Sequence, residues 1–583
     1  MKRRSFLLAV PAAALAQRAQ QSQQGGDDPI LKAMKAEMER SKPMSIAGGQ
    51  PIYFIECDMD DVHALSVQAS MGGLLNARSS AFRLPSVKVR IGDKTFDNTN
   101  YIFSDLSQGS RFDQGQLPLD DNIPALRHNY WLAIDRAYKA ALEAIGRKNA
   151  ALRNVTQAEV LPDFSDAPPT KWLEPVTAWQ VNEEIWKNLA KKWSAVFNNY
   201  PEIYNSTVDV EISRDTLYLA NTEGTELRMT EDLFYVRTRA NGQAPDGMRV
   251  RDSYTVVSMG AARVPAETEI EAKVKQVAEN LKALIAAPPG ESYSGPVLFE
   301  AEAAAQLFAD LIGGQANEVR KPVAEPGRPV PVQGGELEGR VGSRILPSSF
   351  TVVDDPTQKV YKNRPLMGYF PVDQEGVLPK PVVLIEKGAF KGFLSTRQPT
   401  RDSKESNGHA RLKGAFGANQ AYMSNLFVKS DDTIPPAELK AKFLDMIKQR
   451  NKPYGLLVRK LDFPSTASID ELRQSVGGSG GRPAPLPLLV YKVTPDGKEE
   501  LVRGLRFRSL NVRALKDISF VGSDEAHFDF IGNGAIFALV GAGNYIVGCS
   551  VVAPSLLFED LELDRPQIEL PKLPVVPPPP SAE

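Results

Sequence analysis

Histidine and cysteine are scarce in this chain. Its 583 residues hold four histidines and two cysteines. Cys57 and Cys549 stand far apart, so they do not make a disulfide framework. They read as two separate buried thiols, although an oxidising compartment would permit a bridge. No run of about 18 apolar residues follows the N-terminus, so no transmembrane helix is expected. A large excess of either charge sign is also missing, with 69 Lys and Arg against 71 Asp and Glu. The net charge of −2 argues against nucleic acid as a main partner. There is no P-loop, and no G-x-G-x-x-G stands between a strand and a helix.

What is present fits a soluble globular protein, with 42% hydrophobic and 24% charged residues. The length suggests about two to four domains. Lys2, Arg3 and Arg4 form a short basic region, and residues 6–16 are apolar. Ala14-Leu15-Ala16 fits a small-x-small cleavage site, so residues 1–16 read as a signal peptide. Arg3-Arg4-Ser5-Phe6-Leu7 resembles the twin-arginine motif. The expected destination is the periplasm or the exterior, with cleavage after about Ala16. Residues 17–28 read as a linker.

Apolar periodicity predicts helices over 29–41, 126–152, 181–197 and 267–287. Between them, strands are expected at 52–56, 62–69, 72–77, 87–91, 206–213, 215–220, 234–240 and 254–259. Ser213-Arg214-Asp215 is read as the turn between two of them. Pro288-Pro289-Gly290 closes the last helix and marks a domain boundary. Beyond it strands are short and turns dense, with one clear helix over 436–449. The fold class is therefore α+β: a mixed α/β domain over 29–290, then a β-rich, barrel-like domain over 291–565. Residues 477–487 read as a mobile Gly/Ser/Pro loop, and 566–583 as a Pro-rich tail.

Three constellations carry chemistry. Residues 294–312, SGPVLFEAEAAAQLFADLI, form a strand-to-helix corner. Such a corner is a common place to hold a metal, yet it offers Glu300 and Glu302 and no histidine. Glu300 is a weak candidate for a lone ligand or acid, against a plain core-packing helix with Ala303, Ala304 and Ala305. Asp354-Asp355-Pro356-Thr357 reads as a turn before it reads as a cation site. His409, beside Gly408 in a Ser/Asn/Gly-rich loop, is structural or, with Arg411, binds a peptide or partner. Cys57 with His63 is set aside as a nucleophile and base. Glu56 and Asp58 flank the thiol and would raise its pKa.

Read in order, the blocks GPVLFEAEAAAQLF, VGSRILPSSFTVVDDPT, DQEGV, EKGAFKGFLSTR and SNGHAR resemble the TldD/PmbA family. FIECDMDDVHALSVQAS, ANTEGTELR and the closing VVAPSLLFEDLEL are similar too. The resemblance runs from about residue 30 to 563. It implies dimers, including heterodimers in which one subunit holds zinc on His-Glu-x-x-x-His plus a C-terminal cysteine. Aligned on GPVLF, those motif positions are here Glu300, Ala301 and Ala305. Alanine can neither ligate nor take a proton, so a zinc site of that geometry is excluded on chemistry. Cys549 is not securely matched to the ligand cysteine.

The resemblance therefore implies a zinc-free subunit, with zinc in a TldD-like partner, supporting proteolysis of peptides or small proteins. His409 and Arg411 would line the substrate channel. Two rival readings stay open: a self-standing homodimer that binds peptides without cutting them, and a hydrolase with a site rebuilt around Glu300 and His409. Whether this chain is itself an enzyme is left open.

Overall fold

The computed structural model describes residues 28–44, 49–102, 117–153, 160–259, 264–324, 327, 335–413, 419–464, 485–508, 510–533 and 546–565. The signal segment, the Pro-rich tail and most of the 477–487 loop lie outside the described residues.

The N-terminal part is one sheet of very long strands. β1 (Ile52–Ser70) and β2 (Gly73–Ile91) form a hairpin. Its two-residue turn puts Met71 and Gly72 both at positive φ, 49° and 80°, which suits the right-handed twist of the flanking strands. β3 (Ile203–Asn221), β4 (Glu226–Gln243) and β5 (Arg249–Met259) complete the antiparallel path β2-β1-β3-β4-β5. A short strand, Lys171–Leu173, pairs parallel with the start of β4.

The strands are longer than the sequence pattern predicts. The expected breaks at 57–61, 78–86 and 213–215 are continuous strand. Charge in the middle of a strand is satisfied across the ladder instead of ending it. Arg214 sits opposite Asp232 and forks onto it, Nε to Oδ1 at 2.6 Å and Nη2 to Oδ2 at 2.9 Å. Arg83 likewise meets Asp61 across the β1–β2 ladder at 2.9 Å and also reaches Asp121, in the loop before the 123–152 helix, at 2.7 Å.

Side-chain alternation gives the sheet two unlike faces. Odd-numbered residues of β1 are largely apolar at its two ends, with Asp61 and His63 between them. Ile55, Cys57 and Met59 meet helices α1 (Pro29–Ser41) and α2 (Ile123–Leu152) at one end. Leu65, Val67 and Ala69 meet α3 (Glu183–Ser194) and α4 (Glu267–Ala286) at the other. The helix starts are capped as their sequences suggest. Asp28 Oδ1 accepts from the N–H groups of Ile30 and Leu31, and Asn122 accepts from Ala125. The even-numbered face carries Glu56, Asp58, Asp60, Ser66 and Gln68, and the C-terminal half leans on part of it.

That half holds β6 (Tyr293–Phe299), β7 (Phe350–Asp354), β8 (Val382–Glu386), β9 (Asn425–Ser430), β10 (Gly455–Leu461), β11 (Pro487–Val493), β12 (Glu499–Val502), β13 (Ala526–Asn533), β14 (Ile546–Ala553) and β15 (Leu556–Asp564). They form two sheets. One runs Ala389–Phe390, β8, β7, β9, β14, β13; the other runs β12, β11, β10, β6, β15, with Arg506–Phe507 and Ile518–Val521 both on β15. Helix α5 (Ala301–Leu311) lies between them, touching β6 and β10 on one side and β13 and β14 on the other. Helix α6 (Pro436–Gln449) covers the outer face of the second sheet through Leu439, Phe443 and Ile447.

Both sheets are open among the described residues, which corrects the barrel-like expectation. A helix that needs an apolar wall on each side cannot sit inside a small closed barrel, whose interior side chains fill completely. The core around α5 is closed by Phe299, which stacks on Phe507 and meets Phe558 edge-on, at 5.8 and 5.3 Å. Phe299→Ala is expected to cost about 3–5 kcal/mol, read as a fall in the denaturation midpoint with an unchanged slope.

Candidate functional site

The corner between β6 and α5 is built by strand pairing. β6 runs parallel to β10 and antiparallel to β15, so its last residue, Phe299, is buried. Glu300 then turns the chain as the N-cap of α5, with φ −65° and ψ 157°. Its N–H donates to Val458 O at 3.0 Å. Its carboxylate does not cap the helix. Instead Oε1 accepts from Arg459 Nε at 2.9 Å, and Arg459 Nη2 donates to Glu499 at 2.6 Å. The Arg459 guanidinium lies 4.3 Å from the centroid of the Tyr491 ring. This chain of charge is half-exposed and stabilises by about 1 kcal/mol at most.

Ala301 and Ala305, the other two motif positions, are buried against the sheets with Ala303 and Ala304. Gln306 fixes the helix axis: its Oε1 accepts from Leu461 N at 2.7 Å and its Nε2 donates to Phe463 O at 3.2 Å. The residues present do not fit a zinc ion. Two positions have no donor atom, and the third has its carboxylate engaged by a guanidinium. Among the described residues no three His, Cys, Asp or Glu side chains converge as metal ligands do.

Beside the corner, β10 carries two cations that the sequence reading overlooked. Lys460 Nζ donates to Asp252 Oδ1 and to Ser253 O, both on β5. Asp252 is fully enclosed and Asn280 of α4 also donates to it, at 2.9 Å. Two residues on, Asp462 accepts from Arg251 at 2.7 Å. These pairs join the N-terminal sheet to the strand that flanks the corner. The signal was there to read: Arg459-Lys460 interrupts the apolar run GLLV-RK-L.

His409 and Arg411 lie elsewhere: Arg411 is on a short strand, Ala410–Lys413, that pairs with Asn419–Ala421, His409 immediately precedes that strand, and both are buried. His409 Nε2 is 3.1 Å from Asp354 Oδ1, and its Nδ1 is 2.9 Å from Asn407 Oδ1. Asp354 also accepts from Ser424, from its N–H at 2.8 Å and from its hydroxyl. Ser, His and Asp are thus together, but with aspartate in the middle. Nucleophilic catalysis needs histidine between serine and aspartate. The same order recurs at Ser550, Asp529 and His527, where Ser550 donates to Asp529 at 2.6 Å and His527 lies 2.9 Å from it. Arg411 donates to Met423 O and Gly548 O and lies 3.8 Å from Cys549 Sγ. The two channel-lining candidates are thus buried in this chain and hydrogen-bonded to in-chain partners. No hydrogen bond or ion pair joins Glu300 to His409 among the described residues, so the geometry does not assemble a site from that pair.

The cysteines are free and sit in separate cores, Cys57 under α1 and α2 and Cys549 on β14. Burial pushes the Cys57 thiol well up, with Asp58 and Glu56 adding to it. Burial likewise pushes Cys549 up to about 12, with Arg411 pulling the other way. His63, far from acting on Cys57, stacks on Trp179 at 6.1 Å between centroids.

Two outcomes follow. Both thiols are expected to resist a thiol-reactive dye at pH 8 in the native protein and to react once it is unfolded. Asp252→Asn strands the Lys460 ammonium in a buried place and is expected to cost about 3–5 kcal/mol. The double variant Asp252→Asn/Lys460→Met is expected to recover much of that loss in urea titrations.

Comparison with known proteins bears on what this corner descends from. Residues 292–564 match the PmbA/TldA metallopeptidase C-terminal domain. A protein named metalloprotease from Archaeoglobus fulgidus is 36% identical over 78 residues, 13% of this chain and 17% of that protein. Another metalloprotease, from Methanothermobacter thermautotrophicus, is 26% identical over 231 residues, 39% of this chain and 46% of that protein. The chain thus spans less than half the length of the curated relatives it matches. Among solved structures, a protein described as a candidate modulator of a DNA gyrase from Thermotoga maritima superposes with a TM-score of 0.55 at 16% identity. That match covers 91% of this chain and 99% of the other. TldE from Thermococcus kodakarensis superposes with a TM-score of 0.52 at 14% identity, covering 91% and 100%. At such identities the likeness is one of fold. The C-terminal match over residues 292–564 and the shared fold together support a member of the TldD/PmbA family.

Proposed function

We propose that this chain is the zinc-free subunit of an exported metallopeptidase complex of the TldD/PmbA type. It contributes scaffold and substrate-holding surface while a zinc-bearing homologue cuts peptides or small proteins. The observation that carries this reading is the corner at 299–305. The family's scaffold is kept there to the residue before the helix, while Ala301 and Ala305 remove two donors and Arg459 engages the third position. A subunit that had only decayed would have no reason to keep a well-packed helix between two sheets. The fold likeness to TldE supports a paired arrangement. Export rests on the basic and apolar stretch over residues 2–16 and on Ala14-Leu15-Ala16.

The test is native purification of the chain from its own host. A stoichiometric partner bearing His-Glu-x-x-x-His is expected, with zinc following the partner and peptide hydrolysis requiring both chains. Mass spectrometry of the purified chain is expected to find an N-terminus just after Ala16. A homodimer that binds peptides with no such partner would replace this reading with that of a self-standing peptide binder. Hydrolysis by the isolated chain, lost in Glu300→Gln, would replace it with a rebuilt active site.

A further inference from the structure

The even-numbered face of the N-terminal sheet is not fully covered by the C-terminal half. At the β1–β2 hairpin end it opens into a cleft of about 240 Å³. Its walls come from four strands brought side by side by register alone: Asn76 of β2, Ser66 and Gln68 of β1, Asp209 and Glu211 of β3, Arg237 and Arg239 of β4. Gln68 stands opposite Asp209, and Asp209 opposite Arg237, so the polar groups form a row across the strands.

The cations in this cleft are not used up. Asp209 takes Gln68 Nε2 at 2.7 Å, Arg239 Nη2 at 3.0 Å, and Arg237 through Nε and Nη2 at a long 3.3 Å each. Two guanidiniums therefore share one carboxylate. Arg239 Nε is enclosed and has no hydrogen-bond partner among the described residues. A buried donor left in that state costs about 1–3 kcal/mol unless something else accepts from it. The second carboxylate, Glu211, accepts from Ser66 Oγ at 2.5 Å, and no ion pair joins it to either arginine among the described residues. Burial raises it to about 7, with Asp209 adding to the rise and Arg237 opposing it. With Glu211 protonated the cleft thus carries one surplus positive charge, and ionisation of Glu211 cancels it.

We propose that this cleft binds the free carboxylate at the C-terminal end of a peptide, held by Arg237 and Arg239. The inference rests on the peptide-handling reading above and names the group recognised. The planar fork of a guanidinium matches a carboxylate in two parallel bonds. A single surplus charge suits a monoanion, and Glu211 alongside disfavours a dianionic phosphate. The volume lies below the roughly 300–1,000 Å³ that enclose a drug-sized ligand, so the cleft takes an end group and leaves the remainder outside. Glu211, when protonated, donates to the second carboxylate oxygen or to the last peptide carbonyl.

The experiment titrates the full chain with pairs of short fluorescent peptides, identical except for a free acid or an amide at the C-terminus. The free acid is expected to bind at least tenfold tighter at pH 6.5. Arg239→Gln is expected to bring the ratio close to one while leaving the thermal midpoint within a few degrees, and Arg237→Gln to do so independently. Glu211→Gln is expected to abolish the weakening of free-acid binding between pH 6.5 and 8. Equal binding of acid and amide would overturn the proposal and leave peptide handling standing. N-acetylglycine, but not its amide, protecting the chain from thermal unfolding while no peptide binds would uphold the cleft and overturn peptide handling. An acid preference that survives in both arginine variants would also overturn it, by placing the carboxylate elsewhere.

Discussion

Everything in the C-terminal half is arranged around one confined helix. α5 has a sheet on each side, and a helix can approach two sheets closely only if its side chains are short where it touches them. Ala303, Ala304 and Ala305 meet that demand, and Phe308 and Leu311 fill the wider gaps along its length. The helix is apolar almost all round, as a fully enclosed helix must be. Its position is therefore set by packing and by the two Gln306 hydrogen bonds, and no ligand is needed to hold it. That explains how the family's scaffold persists here without the residues that would grip a metal. The fold and the metal are energetically separable.

The corner is also where the two halves of the molecule are fastened. Lys460 with Asp252, and Asp462 with Arg251, cross from β10 to β5 beside the start of α5. Arg503 and Arg397 add further crossings, to Asp246 at 2.9 Å and to Glu223 at 2.7 Å. Arg397 is sheathed by Phe164, whose ring centroid is 3.9 Å from its guanidinium carbon. Enclosed pairs of this kind add little net stability over an apolar contact. They do make any other docking angle costly, since it would leave charges buried and unmatched. The relative placement of the sheet and the corner is thereby specified more than it is strengthened.

Much of this was legible in the sequence, and the rest was hidden for identifiable reasons. The helices at 29–41, 267–286 and 436–449 show a clean apolar stripe, and the first has a visible cap. The long strands did not show, because residues such as Asp58, Asp60 and Arg214 interrupt the alternation that marks a strand. Their charges are matched by residues across the sheet, and local pattern does not reveal that. The loss of ligands at 300, 301 and 305 could be read letter by letter. The burial of His409 and Arg411 could not, since a loop rich in Ser, Asn and Gly usually signals the surface. Lys460 and Asp252 are 208 positions apart. The cleft joins residues near 66, 209 and 237, and only strand register brings them together.

The unbroken strands of the N-terminal sheet have a mechanical consequence. Nineteen residues at about 3.3 Å each give β1 a span of about 60 Å. It is paired on both sides from Glu56 to Ala69, with no glycine or proline within it to act as a joint. Such a sheet is a beam, stiff against bending in its own plane. The α1/α2 end and the hairpin end keep a fixed separation, so whatever is gripped at one end is held at a set distance from whatever happens at the other.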